Sequence, residues 1–165
     1  MPATIKVPLG ASTIVRKWYL DVDVAYPGTP TWVGVFGMSE FKPTQDDNLE
    51  DDSDFDSSGF ESETKTSEKW GVETKLRRKS TEADPGAYDP GQEYLRTKAQ
   101  GQMGVANRVH IRWYEMEPGG PRVEAYEGYG AVSWSPEGGE MKALDMVTVK
   151  ISGQGQRLSI THPAA

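Results

Sequence analysis

The eighteen residues from Asp46 to Glu63 contain nine carboxylates and neither Lys nor Arg. The carboxylates are Asp46, Asp47, Glu50, Asp51, Asp52, Asp54, Asp56, Glu61 and Glu63. Their mutual repulsion and the scarcity of apolar side chains leave little to offset the entropy of ordering this stretch, so it cannot join a hydrophobic core. The chain's net charge is −7, which leaves the remainder at +2. We therefore predict a nearly neutral body with one acidic loop, residues 44–69, that is mobile on its own.

The body is long enough for a real core, and we predict a single domain over residues 1–165. Its 18 Gly and 11 Pro, with many β-branched and aromatic residues, favour an all-β fold with numerous turns. Apolar and polar side chains alternate over residues 16–24, which is the period of a strand buried on one face. Further strands are predicted at residues 31–38, 68–79, 108–116, 122–134, 143–152 and, weakly, 157–161. Residues 1–12 and 153–165 are predicted to be terminal arms.

The strand that follows the acidic loop has two contrasting faces. Its apolar face consists of Trp70, Val72, Thr74 and Leu76. The opposite face carries the cations Lys75, Arg77 and Lys79, which we call the cationic face. This strand is predicted to cover the core with one side and to present positive charge on the other.

One helix is predicted, beginning after Asp89. Asp89 suits the N-cap, Pro90 the first helical position, and Gln92 the reciprocal position of a capping box. Tyr94 and Leu95 give the helix an apolar side. The predicted fold is therefore mainly β, a β-sandwich or flattened barrel with one short flanking α-helix and a long acidic loop.

The acidic loop partly matches the template of a calcium-binding loop. Its positions 1, 3, 5, 7 and 12 are filled by Asp52, Asp54, Asp56, Ser58 and Glu63. Position 6, which needs Gly, is Ser57, and no amphipathic helix flanks the loop. A calcium- or carbohydrate-binding β-sandwich module stays open as the alternative function, although the five Trp residues fall mostly on apolar faces, which favours a place in the core over a sugar platform.

Residues for catalysis are not grouped in the sequence. There is no Cys, and the two histidines, His110 and His162, occur in no metal-ligand spacing. Gly128–Gly130 opens no helix and so is not a phosphate loop. We therefore predict that the chain is not an enzyme and needs no metal or cofactor.

Two partners are disfavoured by composition. The acidic balance argues against non-specific nucleic-acid binding, which requires clustered cations. No apolar run suits a signal peptide or a bilayer span, so we expect cytoplasmic synthesis and no membrane insertion of this chain.

The opposite charges of the acidic loop and the cationic face predict self-assembly. In a homo-oligomer, the loop of one copy can dock on the cationic face of the next, with charge fixing the register. Closure of the same contact within one subunit is the alternative. The predicted contact residues are Asp46, Asp47, Glu50, Asp51, Asp52, Asp54, Phe55, Asp56 and Phe60 on the loop, with Lys75, Arg77 and Lys79 opposite.

Several segments, taken in order, resemble the tail tube proteins (major tail proteins) of long-tailed bacteriophages, especially the actinobacteriophage type. They are residues 18–23 (WYLDVD), 51–60 (DDSDFDSSGF), 64–70 (TKTSEKW), 88–93 (YDPGQE), 124–134 (EAYEGYGAVSW) and 144–155 (LDMVTVKISGQG). The order of these pieces is more specific than any one of them.

The resemblance implies a structural virion protein that forms hexameric rings stacked into a hollow tail tube. DNA passes through such a tube into the host without sequence-specific binding. The long loop, here residues 44–69, reaches an adjacent ring, and the terminal arms help the rings to stack. The implied partners are other copies of the chain, a tape measure protein and a tail terminator. The implied location is the virion tail, after assembly in the host cytoplasm.

Overall fold

The computed structural model describes residues 3–5 and 7–164 and shows a mainly β protein with one α-helix. The elements are β1 (Trp18–Asp23), β2 (Trp32–Gly34), β3 (Met38–Asp51), β4 (Glu63–Arg77), α1 (Pro90–Ala99), β5 (Arg108–Glu115), β6 (Ala125–Pro136), β7 (Met146–Gly153) and β8 (Leu158–Ser159). The predicted fold class is confirmed. None of the helices in the described ranges is long and apolar enough to cross a bilayer.

All the strands belong to one antiparallel sheet. The strand order is β2-β1-β5-β6-β7-β4-β3, and β8 pairs with the start of β6. The sheet curls around a single core. This curl brings β1 and β3, near opposite edges of the sheet, close enough for the rings of Trp18 and Phe41 to stack with centroids 5.8 Å apart. No ladder joins β1 to β3 in the described part of the chain. The result is a flattened barrel that is open between these two strands.

The core consists of the alternate apolar strand side chains that face the inside of the curl, together with Leu95 from α1. Those with at most 2% exposure are Leu20, Val22, Val72, Leu76, Leu95, Val109, Ile111, Trp113, Val147, Val149 and Ile151. Burial on β4 alternates from Trp70 to Leu76, as its sequence predicts. Each fully buried side chain of this size contributes about 1.5–3 kcal/mol, so the regular alternation strongly fixes the register of the sheet.

Helix α1 begins where the sequence predicts it. The Asp89 carboxylate accepts a hydrogen bond from the Gln92 backbone N–H at 3.0 Å. The reciprocal cap by Gln92 is wrong, because its buried side chain serves the sheet instead. Gln92 Nε2 donates to the carbonyl oxygens of Phe36 (2.6 Å) and Arg77 (3.0 Å), and Arg78 Nη1 donates to Gln92 Oε1 (3.0 Å). Gln92 thus fastens the helix to the β2–β3 connection and to the end of β4.

The two ends of the chain differ. The described part of the N-terminal arm, residues 3–5 and 7–12, is exposed and has no regular secondary structure. Within the segment predicted as a C-terminal arm, residues 158–164 lie against their own subunit. Ile160 N donates to Ala125 O at 2.9 Å, and the buried ring of His162 contacts Glu115 O at 2.7 Å. These backbone contacts were not visible in the sequence pattern.

Candidate assembly interface

Strands β3 and β4 form a long hairpin that extends past the rest of the sheet. The two strands pair from Met38 opposite Leu76 to Asp51 opposite Glu63, whereas β7 accompanies β4 only as far as Gly71. Residues 45–51 and 63–70 therefore form a two-stranded ribbon, which we call the acidic ribbon, with a tip at residues 52–62. At 3.4 Å per residue, the seven residues of β3 in the ribbon span about 24 Å.

The prediction of a loop without regular structure at residues 44–69 is wrong. Cross-strand backbone hydrogen bonds supply the ordering energy that the carboxylate count left out. Side chains add to it: Asn48 Nδ2 donates to Thr66 Oγ1 at 2.8 Å, and Lys65 Nζ lies 2.8 Å from Asp47 and 2.7 Å from Glu68. The acidic segment thus has a partner strand, rich in Thr, directly after its turn.

The tip of the ribbon is folded on itself. Asp54 caps a short 3₁₀ turn, accepting hydrogen bonds from Asp56 N and from Ser57 Oγ, both at 3.0 Å. The Thr64 hydroxyl donates to the Asp52 carboxylate, and this bond lowers the pKa of Asp52. The carboxylates at template positions 1 and 3 are thus engaged in the turn itself. The described residues contain no group of three His, Cys, Asp or Glu side chains that could hold a metal ion.

The tip exposes two aromatic rings. Phe55 is fully exposed and Phe60 is 78% exposed, although both lie among carboxylates. Isolated exposed apolar residues are ordinary, but two phenylalanines on one projecting turn are typical of a surface that contacts another protein. Of the predicted contact residues, these two and the carboxylates Asp46, Asp47, Glu50, Asp51, Asp52, Asp54 and Asp56 are all on the ribbon or its tip, and the structure brings them together.

The cationic face lies elsewhere. Lys75 Nζ is 3.5 Å from both Glu137 and Glu40, and the charges of these carboxylates raise the pKa of Lys75. Arg77 and Lys79 form no ion pair with any residue that the structure describes. Lys75 is twelve residues along β4 from Glu63, which corresponds to about 40 Å of strand. The tip therefore does not close onto the cationic face of its own subunit.

An apolar groove opens where the sheet is incomplete, between β1 and the start of β3. Its volume is about 570 Å³. Its apolar lining includes Val15, Trp18, Val35, Phe36, Met38 and Phe41. We call it the β1–β3 groove. Its walls come from segments that only the curl of the sheet brings together, so no pattern in the sequence predicts it. The 69% exposure of Phe36 is its clearest mark on the surface.

The acidic groups in the groove are neutralised within the subunit. The Asp21 carboxylate accepts hydrogen bonds from Arg112 Nε at 2.8 Å and Tyr114 OH at 3.0 Å. Burial and the negative charge of Asp21 raise the pKa of Tyr114 to about 12, so this phenol stays a donor. Glu40 pairs with Lys42 at 2.6 Å as well as with Lys75.

The sheet face opposite the core carries a second buried cluster around His110. Its imidazole stacks on Tyr129 with centroids 4.4 Å apart, and Nδ1 lies 3.2 Å from Asp23 Oδ2. Burial opposes ionisation of Asp23, but hydrogen bonds from Thr31 N–H, Ala25 N–H and His110 outweigh it and hold the pKa of Asp23 below its usual value. The cluster is a satisfied polar layer. No Ser or Thr hydroxyl shares a hydrogen bond with His110 among the described residues.

The tryptophans are distributed between these two layers. Trp70 and Trp113 are buried in the core with centroids 5.3 Å apart, and Trp18 and Trp134 pack against it. Trp32 is on the other face, where it packs edge-on against His110 at 4.7 Å. They form no exposed row of the kind that binds a sugar chain.

Comparison with known proteins gives no match to a family model and no match to a curated protein sequence. Solved structures do match. The tail of an empty gene transfer agent particle, refined with C6 symmetry, superposes with a TM-score of 0.64 at 9% identity, over 91% of this chain and 100% of that one. This chain has the fold of a particle-tail protein.

Two further structures share this tail-protein fold. A chain from the virion of the native gene transfer agent particle matches with a TM-score of 0.60 at 8% identity, over 91% of this chain and 100% of that one. A chain from the six-fold symmetrised baseplate of the anti-feeding prophage matches with a TM-score of 0.59 at 6% identity, over 94% and 99%. The predicted likeness to tail tube proteins is confirmed at the level of the fold. The actinobacteriophage type stays a prediction.

Proposed function

We propose that this chain is a non-enzymatic structural subunit of a virion tail that assembles with copies of itself into stacked six-membered rings. The observation that carries the proposal is the fold it shares, over 91% of its length, with a chain from a C6-symmetric particle tail. The rings build a hollow tube through which DNA passes into the host. A tape measure protein and a tail terminator are the proposed partners, and assembly takes place in the host cytoplasm.

The edges of the sheet support ring formation. The outer edge of β3 has no strand beside it in the described part of the chain, and β2 at the other edge is only three residues long. Unpaired strand edges are templates for pairing with another chain, and a closed ring uses them without open-ended aggregation within its plane. Six copies joined in this way form a continuous barrel around the channel.

The acidic ribbon supports stacking, because it projects about 24 Å beyond the last strand that flanks it and so can reach a neighbouring copy. Its charge also suits a conduit for DNA, because the carboxylates repel phosphates and the chain as a whole carries −7.

Negative-stain microscopy of the purified protein tests the proposal. We expect rings or tubes of uniform width with six-fold symmetry in end views. The matched variant replaces residues 47–68 by Asn-Gly, which joins the paired residues Asp46 and Lys69 through a short hairpin turn. It should remain folded and lose the long tubes. A wild-type protein that stays monomeric at every concentration would contradict the proposal. Normal tubes from the shortened variant would show that ring stacking does not depend on the acidic ribbon.

A further inference from the structure

We propose that the β1–β3 groove receives the tip of the acidic ribbon from a second copy of this chain, with Phe55 and Phe60 as the inserted anchors. The inference rests on the proposed function and specifies its stacking contact. It replaces the cationic face as the docking site for the tip, because that face offers no apolar pocket for the two phenyl rings among the described residues and its Lys75 is already held by Glu40 and Glu137 of its own subunit.

The groove exists because no strand fills the gap between the start of β1 and β3 in the described part of the sheet. On the side away from β5, β1 pairs with β2 only from Asp21 to Asp23. Trp18 and Tyr19 therefore have no strand beside them on that edge, and the space between them and β3 opens to solvent. Part of its apolar wall belongs to the core or packs against it, namely Trp18, Leu20, Val35, Met38 and Phe41. Water that fills such a space is displaced favourably by an apolar group.

The size of the groove suits the two rings of the tip. A cavity of about 150 Å³ lined by aliphatic and aromatic side chains accepts one benzene ring. The groove's 570 Å³ accommodates both phenyl groups and part of the turn that carries them. Exposed aromatic residues that fill a pocket at the centre of a contact are the usual source of binding energy in protein interfaces.

Charge favours the same pairing. Arg16 lies at the groove, is exposed, and forms no ion pair within the described ranges. The groove carboxylates Asp21 and Glu40 are each paired with a cation of the same subunit. The tip carries Asp52, Asp54, Asp56 and Glu61 and contains no Lys or Arg. Arg16 therefore supplies an uncompensated charge at the groove, and it has the sign opposite to that of the tip.

The geometry of β3 requires the tip to come from another copy. The groove contacts the first residues of β3, up to Phe41, whereas the tip follows Asp51 at the far end of the same strand. Ten residues of extended strand separate the two by about 34 Å. A tip at one end and its receptor at the other make a heterologous contact, which adds subunits head to tail and builds an open stack when the rotation from one copy to the next does not close a ring. This is the geometry of a stack.

Disulfide trapping tests the contact, because the chain has no Cys of its own. The double variant Glu61→Cys/Val15→Cys places one thiol on the tip and one at the groove while keeping Phe55, Phe60 and Arg16. Mild oxidation of its tubes should give a ladder of covalent multimers on a non-reducing gel. The control Glu61→Cys/Met141→Cys, with its second thiol on the exposed β6–β7 loop, should give none beyond dimers.

The anchors are tested by Phe55→Ser/Phe60→Ser against the control Met141→Ser/Leu144→Ser, which changes two apolar residues exposed elsewhere. The first should fold and fail to form tubes, and the second should form them normally. The groove contact alone is overturned by either of two results. One is that oxidised tubes of Glu61→Cys/Val15→Cys give no ladder of covalent multimers, and the other is that Phe55→Ser/Phe60→Ser forms normal tubes. A wild-type protein that forms no tubes overturns the proposed function, and the groove contact with it.

Discussion

The indole ring of Trp70 lies so close to Gly128 that a Cβ atom added at this glycine would come within 2.4 Å of it. The same ring leaves equally little room at Gly153, and its Nε1 donates a hydrogen bond to Gly155 O at 2.9 Å. Trp70 is the residue of the acidic ribbon nearest the body, directly before Gly71, where β7 begins to pair with β4. It locks β4 to β6 and β7 at that point.

We expect Gly128→Ala to destabilise the subunit, because the ring cannot move without opening the core. Overpacking of this kind costs about 1–3 kcal/mol. Urea denaturation of the unassembled protein measures it. The control is Gly10→Ala, where an added Cβ meets nothing within 4 Å, and which should change the free energy of unfolding by less than about 0.5 kcal/mol. Equal stability of both variants would mean that the ring is not held as described.

The helix cap gives a second prediction. Asp89→Ala should destabilise the protein by about 1 kcal/mol, since it leaves the Gln92 N–H without its acceptor. Asp89→Asn, which keeps an acceptor oxygen, should lose much less. Thermal unfolding followed by circular dichroism compares the two. A matched loss in both variants would show that the carboxylate acts through its charge instead.

Glu115 is expected to contribute to the loss of stability of the fold at acidic pH. Desolvation opposes the ionisation of its buried carboxyl group and would raise the pKa of Glu115. Hydrogen bonds from the Glu124 and Val123 N–H groups, together with Lys17, outweigh this effect and hold the pKa below its usual value of 4.5. A pKa that is lower in the folded state stabilises the fold above the unfolded value and loses that stabilisation as the pH falls through the folded value.

Glu115→Gln should therefore be less stable than the wild type at neutral pH, and the two should converge as the pH falls below about 4.5. Melting temperatures of the unassembled proteins across this range provide the measurement. Glu63→Gln, on the exposed start of β4, is the control and should run parallel to the wild type. A constant gap between Glu115→Gln and the wild type would contradict the assignment.

The acidic ribbon should be ordered before assembly. Because alternate backbone amides of each strand donate hydrogen bonds across the hairpin, we expect about half of the amides at residues 45–51 and 64–70 to exchange slowly in the free subunit. Residues 7–12, which have no regular secondary structure, are the internal reference and should exchange at once. Mass spectrometry of peptides from the unassembled protein resolves the two regions. Equally fast exchange in both would restore the prediction of a mobile loop.

Local signals in the sequence were sufficient for the helix and for most strands. Asp89 and Pro90 mark the start of α1, and the alternation on β4 gives its buried face, because caps and strand periods depend on neighbours along the chain. The acidic ribbon, in contrast, is not predicted, because its order depends on the strand that lies beside it. Counting carboxylates describes repulsion within one strand and takes no account of Thr64 and Thr66 on the strand that pairs with it.

Features made by distant residues were not accessible from the sequence. The β1–β3 groove joins Trp18 to Phe41, and Gln92 reaches the carbonyl groups of Phe36, in the β2–β3 connection, and of Arg77, at the end of β4. His162 falls in the predicted C-terminal arm, yet its ring is buried against Tyr114 and Glu115 O. Each of these contacts depends on how the sheet curls, and no pattern of polarity along the chain encodes that curl.

The register of the ribbon shifts between Asn48 and Leu49, the position of a β-bulge. Bulges sharpen the local twist of a strand and redirect the residues beyond them. A paired ribbon with one such bulge changes direction at a fixed place. In a stack of rings, a ribbon of this shape would set the rotation from one ring to the next, so the helical pitch of the tube would depend on the residues at the bulge.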